Sequence, residues 1–288
     1  MRSFLFVPGD SLHKFTKARS GHADALILDL EDAVALDNKE AARKIVCEML
    51  QTERNDQKLF VRVNALETEM TFADLAAVMP LKPDGIVLPK ADGADSIARL
   101  SYYLEPLEMA HNIPVGETKV IAIATESASA IFGLESYRRA DKRLWGLMWG
   151  AEDLAASLGA TTNNIDGIHT EPFRLARNLC LMAAAAAEVV AIDTICPVIK
   201  DLSVVTAEAV AARRDGFAAK AVIHPSHIDV VNDTFTPAPE EIEWAEMVLA
   251  AFAANPQAGV VTVNGRMIDK PHERAARKII DMMKQNRS

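Results

Sequence analysis

Short apolar runs alternate with longer amphipathic stretches along most of the chain. In stretches such as Lys39–Leu50 and Asp95–Ala110, apolar positions recur every three or four residues, which is typical of helices packed on a core. A short apolar run between two helices is typical of a strand buried on both faces of a parallel sheet. We therefore predict eight strands, at Ser3–Val7, Ala25–Leu30, Leu59–Val63, Gly85–Leu88, Lys119–Thr125, Leu144–Trp149, Ala191–Cys196 and Ala219–Ile223.

Eight successive βα units predict an α/β fold, the TIM (β/α)8 barrel, which commonly takes about 250 residues. Further helical patterns between the strands lie at Phe173–Val190 and Thr206–Asp215. After the eighth strand the pattern changes, and the chain is longer than a barrel needs. We expect a barrel domain over residues 1–225 and a C-terminal helical extension with a lid segment over residues 226–288. The extension comprises two helices, a hairpin or lid segment and a charged helix, at Ser226–Asp233, Pro239–Ala254, Val260–Asp269 and from His272.

Acidic residues follow two neighbouring strands of the predicted barrel. Glu126 closes the fifth apolar run, and Asp153 comes just after the sixth. Carboxyl ends of barrel strands meet at one face, where ligands bind, so the two acids can reach one ion. Oxygen ligands with no nearby Cys or paired His favour Mg²⁺ over zinc. The sequence predicts a magnesium site at Glu126 and Asp153; the alternative is that each acid caps the helix that follows it.

Three other strand ends carry basic groups. Arg62 ends the third strand and can hold a carboxylate through two parallel hydrogen bonds, or it can form a structural ion pair with Asp29 or Glu31. Lys90 ends the fourth strand and is expected to neutralise the acidic rim, because a metal makes a lysine Schiff base redundant. His224 follows the eighth strand and is expected to be a hydrogen-bonded structural residue.

Composition narrows the classes of partner. The net charge of −9 argues against binding to a nucleic-acid backbone. The three cysteines are odd in number and lack CxxC spacing, which argues against a disulfide framework and a zinc site. No apolar run reaches the ~20 residues that span a bilayer, and the chain opens on a strand rather than a signal peptide. We expect a cytoplasmic protein that binds neither nucleic acid nor membrane.

Seven sequence motifs at the predicted strand ends resemble those of one family, and together they extend over almost the whole chain. They are FVPGDSLHKFTKA from Phe6, LDLEDAV from Leu28, RVN from Arg62, GIVLPKA from Gly85, IATESA from Ile123, WGAEDLAASLG from Trp149 and KAVIHPSHI from Lys220. In this order they resemble the HpcH/HpaI aldolase and citrate lyase β-subunit family, in its CitE-like branch. The resemblance implies a Mg²⁺-dependent carbon–carbon lyase. Its substrate would be a β-hydroxyacyl-CoA such as citryl-, malyl- or citramalyl-CoA, and its products an acyl-CoA and a small keto acid.

The resemblance also assigns roles to individual residues. It implies that Glu126 and Asp153 hold the metal and that Arg62 binds the substrate carboxylate. Asp269 resembles an aspartate that some relatives place on a C-terminal lid and project into a neighbouring subunit. The alternative is that Asp269-Lys270-Pro271 is simply the start of a helix, since this sequence is also typical of a helix N-terminus. The acids expected to orient metal-bound water are Asp29, Glu31 and Asp32, and the lysines expected near the CoA nucleotide are Lys14 and Lys17.

Several alternatives remain open at this point. Lys14 and Lys17 can equally be solvated residues on an amphipathic helix. The protein can be a citrate lyase β subunit that acts on an acyl-carrier-protein thioester in a complex, a CoA-independent HpcH-type aldolase, or a non-catalytic acyl-CoA binder. Hydrolysis of the thioester after cleavage is a further open point. The resemblance implies a homo-oligomer, a trimer or hexamer.

Overall fold

Eight parallel strands close into a barrel in the computed structural model, which describes residues 1–165 and 167–285. Each strand pairs with its neighbours in chain order, and the eighth pairs with the first. The predicted TIM barrel is therefore confirmed. The strands are β1 (Ser3–Pro8), β2 (Ala25–Asp29), β3 (Lys58–Arg62), β4 (Gly85–Leu88), β5 (Lys119–Ile123), β6 (Leu144–Met148), β7 (Val190–Asp193) and β8 (Ala219–Val222).

Helices follow the strands, and the chain divides into two compact units. One unit spans Arg2–Asn232, and the other runs from Asp233 onward together with Met1. No helix in the described residues is both long and apolar enough to span a bilayer. The helices are α1 (Leu12–Arg19), α2 (Lys39–Leu50), α3 (Met70–Val78), α4 (Ala94–Ala110), α5 (Ala128–Gly133), α6 (Glu152–Leu158), α7 (Glu171–Ala186), α8 (Leu202–Asp215), α9 (Ile228–Phe235), α10 (Pro239–Ala254) and α11 (Lys270–Gln285).

Three aromatic rings fill the barrel near the amino ends of its strands. Phe4, Phe60 and Trp145 come from β1, β3 and β6, and their ring centroids lie 5.9 to 6.2 Å apart. Because these strands are not neighbours in the sheet, the rings can meet only across the barrel interior. Side chains alternate along a strand, so the inward residues two positions further on, such as Phe6 and Arg62, face the opposite end. The aromatic layer thus closes one end and leaves the carboxyl-terminal end for the site.

The predicted boundaries are wrong around β7. The helix expected over Phe173–Val190 ends at Ala186, and the strand expected over Ala191–Cys196 ends at Asp193. Glu188 adopts a left-handed backbone with φ of 57°, which ends the helix and lets Val190 pair with Gly146 of β6. The other seven strands agree with the sequence prediction to within two residues.

The C-terminal unit has a core of its own. Two strands, Val260–Val263 and Arg266–Asp269, form the antiparallel hairpin that the sequence indicated. Asn264 and Gly265 both have positive φ, 47° and 73°, as a tight two-residue hairpin turn requires. Buried apolar side chains from the hairpin, α10 and α11 pack together, at Ala245, Val248, Phe252, Val261, Val263, Ile268 and Ala276.

Candidate active site

A cavity of about 380 Å³ opens at the carboxyl-terminal end of the barrel. Most of its walls come from the last residues of the strands and the loops that follow them, where a TIM barrel places ligands. The acidic and basic residues that line it are Asp29, Asp32, Arg62, Glu126, Glu152 and Asp153. The uncharged lining includes Phe6, Ala33, Ile123, Met148, Trp149, Thr194, Ile195 and Ile223.

Glu126 lies in this cavity with only 4% of its surface exposed. Its Oε2 accepts a hydrogen bond from the backbone N–H of Lys90. Burial raises the pKa of Glu126 to about 8, and the nearby charges of Asp153 and Glu31 act in the same direction. The residue that caps α5 is Ser127, whose Oγ accepts from the backbone N–H of Ala130. Glu126 therefore does not serve as the helix cap that the alternative interpretation required.

Asp153 lies in the first turn of α6 and lines the same cavity. Its Oδ1 lies 3.5 Å from the ammonium of Lys90, whose backbone N–H binds Glu126. Lys90 thus contacts both carboxylates, which places them on the same side of the cavity. The structure brings together the two residues that the sequence predicted as metal ligands.

The donor set fits a magnesium ion. Mg²⁺ is commonly held by one or two carboxylates and keeps several waters or substrate oxygens as its other ligands. No group of three or more His, Cys, Asp or Glu in the described part of the chain is arranged to hold a metal, so a site here would depend on these two carboxylates. Burial disfavours the charge on Glu126, and a divalent cation would restore it. In addition, the buried Oε2 of Glu31 lies 2.9 Å from Nη1 of Arg62, so this acid holds the guanidinium beside the site.

Arg62 is held at the end of β3 by two acids. Its Nε and Nη2 donate to the two carboxylate oxygens of Asp29 at 2.8 and 2.6 Å, and its Nη1 lies 2.9 Å from Glu31. Burial would lower the pKa of Arg62, but the hydrogen bonds and charge of Asp29 raise it, so the guanidinium stays charged. The ion pair anticipated as an alternative is therefore present. Arg62 also lines the cavity, where its remaining N–H groups can serve a ligand.

Lys90 adopts a left-handed backbone, with φ of 51°, directly beside the site. Its ammonium binds Glu31 and lies 3.9 Å from Asp32. Burial opposes the charge, but the bonds to Glu31 outweigh it and raise the pKa of Lys90 above its usual value. A lysine that keeps its proton is a poor nucleophile, so Lys90 is an ion-pair partner of the acidic residues, as expected from the sequence.

Three other residues named from the sequence belong to the barrel unit and one to the C-terminal unit. Lys14 and Lys17 are exposed on α1, and His224 forms a hydrogen bond through its Nδ1 with Ser226. Asp269 ends the hairpin of the C-terminal unit, where its Oδ1 lies 2.5 Å from Nδ1 of His272. That hydrogen bond lowers the pKa of Asp269.

The apolar part of the cavity wall was not among the site residues predicted from the sequence. Phe6, Ile123 and Met148 lie at or near the carboxyl ends of their strands and line the cavity. The signal was present, because in a TIM barrel the last inward-facing residue of each strand borders the site. The alternation of side chains along a strand identifies such residues only when it is known which of its two faces points into the barrel.

Comparison with known proteins places the chain in one family. The family model for HpcH/HpaI aldolase/citrate lyase matches residues 2–225. The chain is 33% identical over 288 residues to the citrate lyase subunit beta of Leuconostoc mesenteroides subsp. cremoris, covering 99% of this chain and 94% of that protein. It is 33% identical over 286 residues to a (3S)-malyl-CoA thioesterase of Cereibacter sphaeroides, covering 97% and 93% of the two chains.

A solved structure extends the comparison to the fold. The CitE protein of Mycobacterium tuberculosis, in complex with magnesium, acetoacetate and coenzyme A, has a TM-score of 0.79 and 32% identity, and 98% of each chain is covered. Both the sequence and the fold are therefore shared over nearly the whole length. On these grounds, the chain belongs to the HpcH/HpaI aldolase/citrate lyase family of carbon–carbon lyases.

Proposed function

We propose that the protein is a Mg²⁺-dependent carbon–carbon lyase that acts on a β-hydroxyacyl-CoA thioester. The observation that carries the proposal is the convergence of Glu126, Asp153 and Arg62 on one cavity at the carboxyl-terminal end of the barrel. The relatives support it, since they include a citrate lyase subunit and a malyl-CoA thioesterase, and the CitE protein was solved with magnesium and coenzyme A.

Each residue of the site would have its own role in the reaction. Held by Glu126 and Asp153, Mg²⁺ would supply Lewis-acid polarisation of the substrate's hydroxyl and nascent keto group. Arg62 would orient the carboxylate of the substrate, and the bidentate bond from Asp29 fixes the plane of its guanidinium. Glu31 and Asp32 would accept hydrogen bonds from water in the cavity. Such positioning is worth several orders of magnitude in rate.

Charge inside the cavity bears on which keto acid is released. Arg62 is the only basic side chain among the described residues that line it, and Asp29 already neutralises Arg62. Four further carboxylates face the two charges of one Mg²⁺ and the single charge of Lys90, which lies 3.5 Å from Asp153; they are Asp32, Glu126, Glu152 and Asp153. A second substrate carboxylate would find no unpaired cation there. We therefore propose a 2-oxo acid with a single carboxylate, as malyl- or citramalyl-CoA would release, rather than the oxaloacetate of citryl-CoA.

A panel of thioesters tests the reaction and the charge argument separately. With Mg²⁺, malyl- and citramalyl-CoA should be cleaved with a kcat/KM at least about 100-fold above that of citryl-CoA, because an unpaired like charge costs several kcal/mol. Products are identified by mass, which also reports any hydrolysis of the thioester.

Each contrary outcome has a distinct meaning. Failure to cleave any member would contradict the lyase assignment and favour a non-catalytic acyl-CoA binder, whereas a preference for citryl-CoA would contradict only the charge argument. Turnover of the free hydroxy acids would identify a CoA-independent aldolase. Turnover of the acyl-carrier-protein thioester alone would identify a citrate lyase subunit.

We further propose that the protein is a homo-oligomer, a trimer or hexamer, in which Asp269 serves the site of a neighbouring subunit as a base. Its side chain is partly exposed at the end of the hairpin, where a neighbouring subunit can reach it. The contact of Lys14 and Lys17 with the CoA phosphates stays a prediction, as does the cytoplasmic location.

Asp269→Asn should lower kcat by about 10²- to 10⁴-fold, the usual contribution of a general base, without changing Mg²⁺ affinity. Asp229→Asn, at an exposed aspartate that pairs with His22, is the matched control and should keep the wild-type kcat. Mixed oligomers of Asp269→Asn and Asp153→Asn chains should recover part of the activity. A wild-type kcat for Asp269→Asn would remove the residue from the mechanism, and no recovery in the mixture would contradict its action in a neighbouring subunit.

A further inference from the structure

A buried polar network lies behind one wall of the cavity. At its centre is Asp193, the last residue of β7, with 3% of its surface exposed. Its Oδ1 accepts from Trp149 Nε1 at 2.7 Å and from Arg177 Nε at 3.1 Å, and its Oδ2 accepts from Lys220 Nζ at 3.1 Å. Burial alone would raise the pKa of Asp193, but the charges of Lys220 and Arg177 outweigh it and lower the pKa. Asp193 is thus a buried carboxylate with three donors.

Asp193 does not line the cavity, but two of the groups that it anchors do. Trp149 lines the cavity and has 1% of its surface exposed. Thr194 lines it as well, and its carbonyl accepts from the same Lys220 ammonium at 2.8 Å. The network therefore holds two parts of the wall without reaching a ligand itself.

The loop from Trp149 to Asp153 connects this network to the proposed metal ligands. Trp149 follows the last residue of β6, and Asp153 is four positions further on. The next residue, Gly150, donates its backbone N–H to Thr125 Oγ1 at 3.0 Å. A Cβ added to Gly150 would lie 3.1 Å from Cγ of Glu126, so the loop passes close to that ligand. The two anchors, at Trp149 and Gly150, fix the start of the segment that delivers Asp153 beside Glu126.

We infer that Asp193 is a positioning residue that, through its hydrogen bond to Trp149, sets the placement of Asp153 relative to Glu126 and thereby the affinity for magnesium. The inference rests on the proposed function, because it assumes that these two carboxylates hold the ion. Groups that orient metal ligands through hydrogen bonds typically contribute 10- to 100-fold in metal affinity.

Trp149→Phe removes the indole N–H and keeps an aromatic ring in place. We expect it to raise the Kd for Mg²⁺ at least about tenfold, measured by calorimetry without substrate, and to recover most of the wild-type kcat when Mg²⁺ is raised to saturation. Measuring the metal alone matters because Trp149 itself lines the cavity and can alter KM directly. Trp145→Phe is the matched control, since it makes the same change within β6, four residues before Trp149, where the ring packs on Phe4 and Phe60. It should leave the Kd unchanged.

Asp193→Asn separates positioning from stability. The asparagine oxygen can still accept from Trp149. Lys220 and Arg177 lose the charge of Asp193 and keep one acidic partner each, Glu208 and Asp215, so the Tm should fall while the Kd for Mg²⁺ changes less than in Trp149→Phe. If Trp149→Phe binds Mg²⁺ as tightly as the wild type, or if Trp145→Phe weakens binding equally, the inference is overturned. If the wild type itself does not bind Mg²⁺, the proposed function fails instead. If Asp193→Asn does not fold, the comparison of Trp149→Phe with Trp145→Phe still tests the inference.

Discussion

Asp153→Asn is expected to abolish lyase activity while the barrel stays folded, and Glu126→Gln should have the same effect. Both substitutions replace a carboxylate of the proposed metal site with an amide and keep the side-chain volume. A Lewis acid contributes several kcal/mol to such a reaction, so turnover should fall by about 10³-fold or more. Calorimetric titration measures the loss of Mg²⁺ binding, and product analysis by mass measures the loss of turnover. Circular dichroism checks the fold.

Asp95→Asn is the control for this prediction. Asp95 is an exposed acid in the first turn of α4, as Asp153 is an acid in the first turn of α6. If Asp153 acted only by favouring the start of its helix, the two substitutions would lower stability by similar small amounts and leave turnover intact. Turnover retained by metal-stripped Asp153→Asn protein would remove the metal mechanism altogether.

Arg62→Lys should lower kcat/KM by about 100-fold or more while leaving the Kd for Mg²⁺ near its wild-type value. Lysine keeps the positive charge but lacks the planar fork that Arg62 presents to Asp29 at 2.8 and 2.6 Å. Without that bond the cation is no longer fixed relative to the bound carboxylate, and a displacement of about 1 Å can cost 10²-fold in rate. Initial rates with the preferred thioester measure the loss.

The separation between rate and metal affinity distinguishes this prediction from the preceding one. Arg174→Lys is a suitable control, because Arg174 forms an exposed ion pair with Glu171 on α7 and should tolerate the change. A wild-type kcat/KM for Arg62→Lys would mean that Arg62 is only an ion-pair partner of Asp29 and Glu31. A large loss of Mg²⁺ affinity would mean that the arginine acts by holding the acids in place.

The sequence by itself was sufficient to predict the barrel and to place the two proposed metal ligands at one face of it. Each strand is a short apolar run between helical patterns, and the periodicity that identifies it is local. Because the strands are parallel and successive, the residues that end them lie at the same face, and the sequence therefore predicts that Glu126 and Asp153 lie close together. The ends of β7 and α7 were predicted less well, since a single left-handed residue, Glu188, decides them.

Only the tertiary structure decided which side chains pair. The bond from Arg62 to Asp29 joins residues 33 apart, that from Lys90 to Glu126 joins residues 36 apart, and that from Trp149 to Asp193 joins residues 44 apart. Periodicity places each residue at an end or on a face of its strand, but a hydrogen bond depends on distances of a few tenths of an ångström between separate elements. Charged residues at one rim can pair in many ways, and the packed barrel selects one of them.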